Sequence, residues 1–193
     1  KLGAEAPAIA DYRALQTDAA FVAPLRWEAI VPARYDALLL PGGHAPGMKQ
    51  YLGSALLQER IAAFAALRRP IAAICHGVLP LARARDAETG RSVLHGRRTT
   101  CLPKYMEGLA YALSFWKLGR YYRTYPAYVE DEVRAALARA ADFVRGPITL
   151  GTRGSEHDDR GAFVCEDGNY ISARWPGDAY LFARKLIERL TPP

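Results

Sequence analysis

Cysteine is scarce in this chain: Cys75, Cys101 and Cys165 are its full complement over 193 residues. An odd, widely spaced trio argues against a disulfide framework and has none of the paired spacings of a zinc site. A reducing cytoplasm is therefore the expected compartment. Long apolar runs are missing too. Arg, Asp or Pro interrupts every stretch before it reaches membrane-spanning length, so no membrane partner is expected. No secretory leader is readable at Lys1-Leu2-Gly3-Ala4-Glu5. Concentrated basic tracts are also lacking: 26 Lys+Arg against 20 Asp+Glu give +6, but Arg68-Arg69 and Arg97-Arg98 are the longest basic pairs. Such scatter argues against a nucleic-acid partner, which wants a basic face. The chain has no internal repeat and no low-complexity tract. Its 50% hydrophobic and 24% charged content fits a single globular domain spanning 1–193.

What the chain does have is an alternation of strand-like and helix-like segments. A weak helical period runs through Ile9, Tyr12, Leu15 and Ala19. Residues 35–40 read as a buried strand stopped by Pro41-Gly42-Gly43. Ser54 is placed to cap a helix carrying Leu57, Ile61, Phe64 and Leu67 on one face, and Pro70 bars its continuation. Residues 71–74 form the next strand, and strand, helix, strand at this spacing is a parallel crossover. Residues 92–100 read as strand, turn and strand, 104–117 and 130–143 as helices, and 162–173 as a hairpin about Asp167-Gly168. A last helix covers 177–190.

The chemistry centres on Pro70-Ile71-Ala72-Ala73-Ile74-Cys75-His76-Gly77, where an apolar strand ends on a thiol and a helical pattern follows at once. A sharp strand-to-helix turn lifts one side chain out of the backbone, and unpaired N–H groups at the helix start favour a thiolate there. Cys75 is thus the expected nucleophile, open to solvent and with a lowered pKa. Gly42-Gly43-x-x-x-Gly47 has the wrong spacing for a dinucleotide loop, and Pro46 interrupts it. Glu156-His157-Asp158-Asp159 is metal-like in composition, but crowded into one polar loop it reads as a solvated turn, so neither a metal nor a cofactor is expected.

Three blocks in order resemble the PfpI/ThiJ family of the class I glutamine amidotransferase-like superfamily: the run from Tyr35 through Leu40 to Pro41-Gly42-Gly43-His44-Ala45-Pro46, the run from Pro70 to Gly77, and Asp167-Gly168-Asn169-Tyr170-Ile171-Ser172-Ala173-Arg174. The resemblance implies an α/β, flavodoxin-like three-layer sandwich with a mostly parallel sheet, often assembled as a homodimer or larger homo-oligomer. It implies Cys75 as nucleophile, His76 as its partner, and the backbone N–H groups of Gly43 and His76 as an oxyanion hole. Gly42 and His44 would line the substrate pocket. The implied activity is that of a cysteine-dependent hydrolase or lyase acting on a small carbonyl or amide. Stress or redox sensing through Cys75 without turnover is the alternative from another class, and a relative that kept the elbow but lost activity is a third. No His-x-Glu pair supports glutamine amidotransfer.

The chain also departs from the pattern. Gly47 stands where protease-like relatives carry an acid, and no leading strand with a glutamate is readable before Tyr35. A chain opening on Lys1 points to an upstream segment carrying both. Residues 101–161 are longer than the family connection they replace, and with Tyr121-Tyr122-Arg123-Thr124-Tyr125 they read as a helical insertion, a lid or oligomer surface over the Cys75 pocket.

Overall fold

The computed structural model describes residues 6–123, 125–149 and 151–191. The chain divides into a unit ending at Val31 and a larger one beginning at Pro32. In the first, α1 (Ala6–Leu15) follows the period through Ile9 and Leu15. The helix breaks at Thr17-Asp18. There the Asp18 carboxylate accepts from the N–H groups of Ala20 and Phe21 and starts the short α2 (Ala19–Val22). No residue of either helix is buried.

The second unit is built on a four-stranded sheet of order β1-β2-β4-β3, with β1 (Leu38–Leu40), β2 (Ile71–Ile74), β3 (Val164–Asp167) and β4 (Tyr170–Ala173). β1, β2 and β4 run parallel, and β3 is antiparallel to β4. This is the expected flavodoxin-like α/β sandwich with a mostly parallel sheet. The crossover from β1 to β2 passes through α3 (Met48–Gly53) and α4 (Ala55–Ala66). Ser54 caps α4 as expected, its Oγ accepting from Leu57 N–H at 3.1 Å. Leu57, Ile61 and Phe64 are buried, whereas Leu67 lies past the last turn and is exposed. The Gly168-Asn169 turn joins β3 to β4, with Gly168 at φ +58.

Side chains alternate across the sheet. Ala72, Ile171 and Ala173 face α8 (Ala179–Leu190), where Phe182 completes a buried cluster with Ile74, Val164 and Leu186 packed against it. On the other face Tyr170 and Ser172 hold the segment that reads as a strand pair at 92–100. Thr99 Oγ1 lies 2.9 Å from the Tyr170 hydroxyl, and Thr100 N–H donates to Ser172 Oγ at 2.9 Å. That segment is not a strand pair. Ser92 Oγ accepts from Leu94 N–H, and its backbone carbonyl accepts from His95 N–H, so the chain is drawn into turns with only isolated bridges at Ser92 and Thr99.

Beyond β2 come α5 (Val78–Arg83), α6 (Lys104–Leu118) and α7 (Val129–Ala136), with a 3-10 turn at Tyr121–Arg123 between the last two. The helix expected over 130–143 ends at Ala136 and resumes only as a 3-10 turn at Ala140–Asp142. Arg83 joins this region to α5, donating to both oxygens of Glu132 at 2.6 and 2.9 Å and to the Leu52 carbonyl at 2.8 Å.

Candidate active site

Because β1 and β2 are adjacent and parallel, the loops leaving their C-terminal ends meet at one edge of the sheet. The first loop carries Gly42, Gly43 and His44, and the second opens on Cys75. Cys75 has φ +60, a left-handed backbone conformation that an L-residue adopts at a cost of about 1–3 kcal/mol. The strain is held by close packing. A Cβ on Gly77 would stand 2.1 Å from the Leu40 carbonyl oxygen, and one on Gly42 would stand 2.8 Å from both Cys75 Cβ and His76 N. Only glycine lets these two loops approach so closely. A 3-10 turn at Cys75–Gly77 then leads into α5.

The Cys75 sulfur is 3.4 Å from Nδ1 of His76. The adjacent histidine therefore does face the thiol. His44 joins them, its ring centre 4.4 Å from that of His76 in an edge-on arrangement. Sγ and one ring nitrogen from each histidine lie within 4.8 Å of one another, a set able to ligate a metal ion. Aromatic rings pack against the two histidines. Tyr122 packs 4.8 Å from His44, Tyr121 6.4 Å from it, and Tyr125 5.6 Å from His76. Thr124 lies outside the described residues.

Burial reverses one expectation. Cys75 is only 7% exposed rather than open to solvent. Burial pushes its thiol up from 9.0 to about 12, more than the His76 N–H lowers it, and the charges of Glu107 and Asp178 push the same way. Burial also brings His76 down to about 3, with His44 adding to the fall, and His44 itself down to about 4. In this closed arrangement the neutral thiol and neutral imidazole are the stable pair.

No carboxylate is hydrogen-bonded to the sulfur among the described residues. The two acids whose charge reaches it are engaged elsewhere, and sequence reading missed both. Glu107, 1% exposed on α6, accepts from Val129 N–H at 3.1 Å and pairs with Arg123 at 3.5 Å. A lone acid among the apolar residues of α6 was the available signal. Asp178 is fully buried with Arg174, accepting at 2.8 and 3.0 Å from the guanidinium. At Gly47 a Cβ would meet nothing within 4 Å, so space does not explain the missing acid there. Glu156 and His157 stand exposed in their loop, as expected. A recess of about 340 Å³ lined by Pro46, Lys49, Arg120 and Tyr121 borders the tyrosine segment. A wider groove of about 910 Å³, lined in part by Arg68, Arg97 and Asn169, lies at the opposite end of the strands and includes none of the site residues.

A strained cysteine at the C-terminal end of a parallel strand, packed against a glycine loop from the neighbouring strand, defines an α/β protein with a cysteine elbow. The chain belongs to the ThiJ/PfpI-like family, whose model matches residues 1–147. Its relatives include a deglycase of Pyrococcus abyssi, 27% identical over 166 residues that cover 86% of this chain and 69% of the relative. The deglycase PfpI of Pyrococcus furiosus is also 27% identical, over 170 residues and the same shares of the two chains. Among solved structures, glyoxalase III of Candida albicans shares the fold with a TM-score of 0.67 at 19% identity, over 97% of this chain and 71% of that one. Among the described residues, no helix is long and apolar enough to cross a membrane.

Proposed function

We propose that the protein is a cysteine-dependent hydrolase or lyase that attacks a small carbonyl or amide substrate through Cys75. The supporting observation is the elbow itself: a non-glycine residue held at φ +60 with its sulfur 3.4 Å from a histidine nitrogen. His76 takes the thiol proton, the sulfur adds to the carbonyl carbon, and the N–H groups of Gly43 and His76 receive the oxygen that becomes negative. Gly42 and His44 line the approach. The chemistry is compatible with that of the relatives named deglycases.

The closed site needs an activating step, and the tyrosine segment provides one. The same desolvation that raises the thiol lowers the imidazole, so both shifts oppose proton transfer and both relax when water enters. Outward movement of Tyr121, Tyr122 and Tyr125 admits substrate and prepares the nucleophile together. A redox-sensing role needs the same exposed thiolate and has no separate observation in its favour. The partner we propose is a second copy of the chain, meeting the exposed α6 stripe of Leu109, Leu113 and Trp116.

Turnover of methylglyoxal, small amides and peptides by wild type and Cys75→Ala tests the reading. Activity on one of these classes is expected to vanish in the variant. A substrate turned over equally by both proteins would defeat the assignment.

A further inference from the structure

We infer that His44, Cys75 and His76 form a binding site for a thiophilic divalent cation, zinc above all, that competes with the nucleophilic role of Cys75. The three side chains come from two loops that the parallel strands bring together, and their donor atoms lie within 4.8 Å of one another. One sulfur and two imidazole nitrogens are the mixed donor set that suits zinc, whereas calcium and magnesium require oxygen.

Distances agree with this choice. Zinc bonds of ~2.3 Å to sulfur and ~2.0 Å to nitrogen put those donors roughly 3.5 Å apart across a tetrahedral edge. The observed separation of Sγ and His76 Nδ1 is 3.4 Å. Wider gaps in the trio are closed by His44, which is carried on irregular backbone after β1. Three protein ligands leave a fourth position for water. Tyr125, 7% exposed, packs beside His76 with ring centres 5.6 Å apart.

Binding is a ligand exchange without redox change. The S–H bond breaks, a sulfur–zinc bond forms, the proton passes to solvent, and water leaves the cation as the imidazole nitrogens coordinate. A sulfur so engaged cannot attack a carbonyl. Zinc occupancy would therefore hold the protein inactive and also shield Cys75 from oxidation.

The full chain, stripped with chelator, is titrated with Co²⁺ in the absence of substrate. The expected result is one equivalent bound with a sulfur-to-cobalt charge-transfer band and tetrahedral visible bands, all displaced by one equivalent of Zn²⁺. His44→Ala should weaken Zn²⁺ binding by at least the roughly 10–100-fold typical of losing an outer-shell partner, and Cys75→Ala should abolish the band. Should either variant misfold, protection of Cys75 from iodoacetamide by Zn²⁺, read on the wild-type peptide by mass spectrometry, supplies the same evidence. Absence of the band, its persistence in Cys75→Ala, or unprotected alkylation at saturating Zn²⁺ overturns the site. Because none of these readouts needs turnover, a protein that binds cobalt but converts no substrate would refute the proposed reaction alone.

Discussion

Two neutral histidines beside a neutral thiol make the site sensitive to pH from both sides. The unfolded chain takes up protons on His44 and His76 below 6.5, while the folded chain resists down to about 4 and about 3. Stability must then fall as pH drops from 6.5 towards 4, by up to about 1.4 kcal/mol per pH unit for each imidazole. The thiol acts at the other end. Its folded value of about 12 lies above the ordinary 9.0, so the unfolded chain ionises first and stability declines as pH rises from 9 towards 12. Tyr121, Tyr122 and Tyr125 pack against the two histidines, and the charges of Glu107 and Asp178 reach the thiol. Urea unfolding at pH 7 and pH 5 checks the acid limb, which should be shallower in His44→Gln. Equal slopes in the two proteins would show that His44 titrates normally. The elbow and the glycine loop were legible as motifs because each strand stops abruptly, at Pro41 and at Cys75. The raised thiol was not, because it depends on burial and on the charges of Glu107 and Asp178, which are remote from Cys75 in the chain.

At the scale of elements, the tyrosine turn and the segment after β4 do opposite work. The turn packs its rings on His44 and is tied to α6 by Arg123, whose guanidinium also stacks 3.6 Å from the ring centre of Tyr128. Removing one ring should open the site. Tyr122→Ala is expected to speed iodoacetamide labelling of Cys75 at pH 8 by about tenfold for each unit by which the thiol pKa falls. Labelling as slow as in wild type would exclude this turn as the barrier. The Arg174–Asp178 pair is instead fixed: Asp178 also accepts from Phe163 N–H and Arg174 N–H, and Arg174 donates to the Pro147 carbonyl. Removing one charge leaves its partner buried and uncompensated, so Asp178→Asn should cost about 3–5 kcal/mol in denaturant unfolding. Helix and strand assignments succeeded where periodicity and caps agree, as at Ser54. They failed at 92–100 because Ser92 satisfies the backbone locally and competes with strand pairing.

For the whole molecule, the parallel sheet brings the Gly42-Gly43-His44 loop and Cys75 to one edge, and α6 carries an exposed apolar face. Leu109, Leu113 and Trp116 fall four and three residues apart on one helix face and are all exposed, Trp116 by 74%. Contiguous apolar surface of this kind marks an interaction site more than scattered exposure does. Light scattering after gel filtration should find a homo-oligomer that Trp116→Glu and Leu113→Asp dissociate; an unchanged mass would move the interface elsewhere. The sequence by itself determined the parallel crossover, the elbow and its glycine loop, since these rest on short-range rules of apolar patterning, turn residues and backbone freedom. Only the tertiary structure decided the protonation of the site and the company Cys75 keeps. Burial and charge act through space, and the groups that impose them, from His44 to Asp178, are scattered along the chain until it folds.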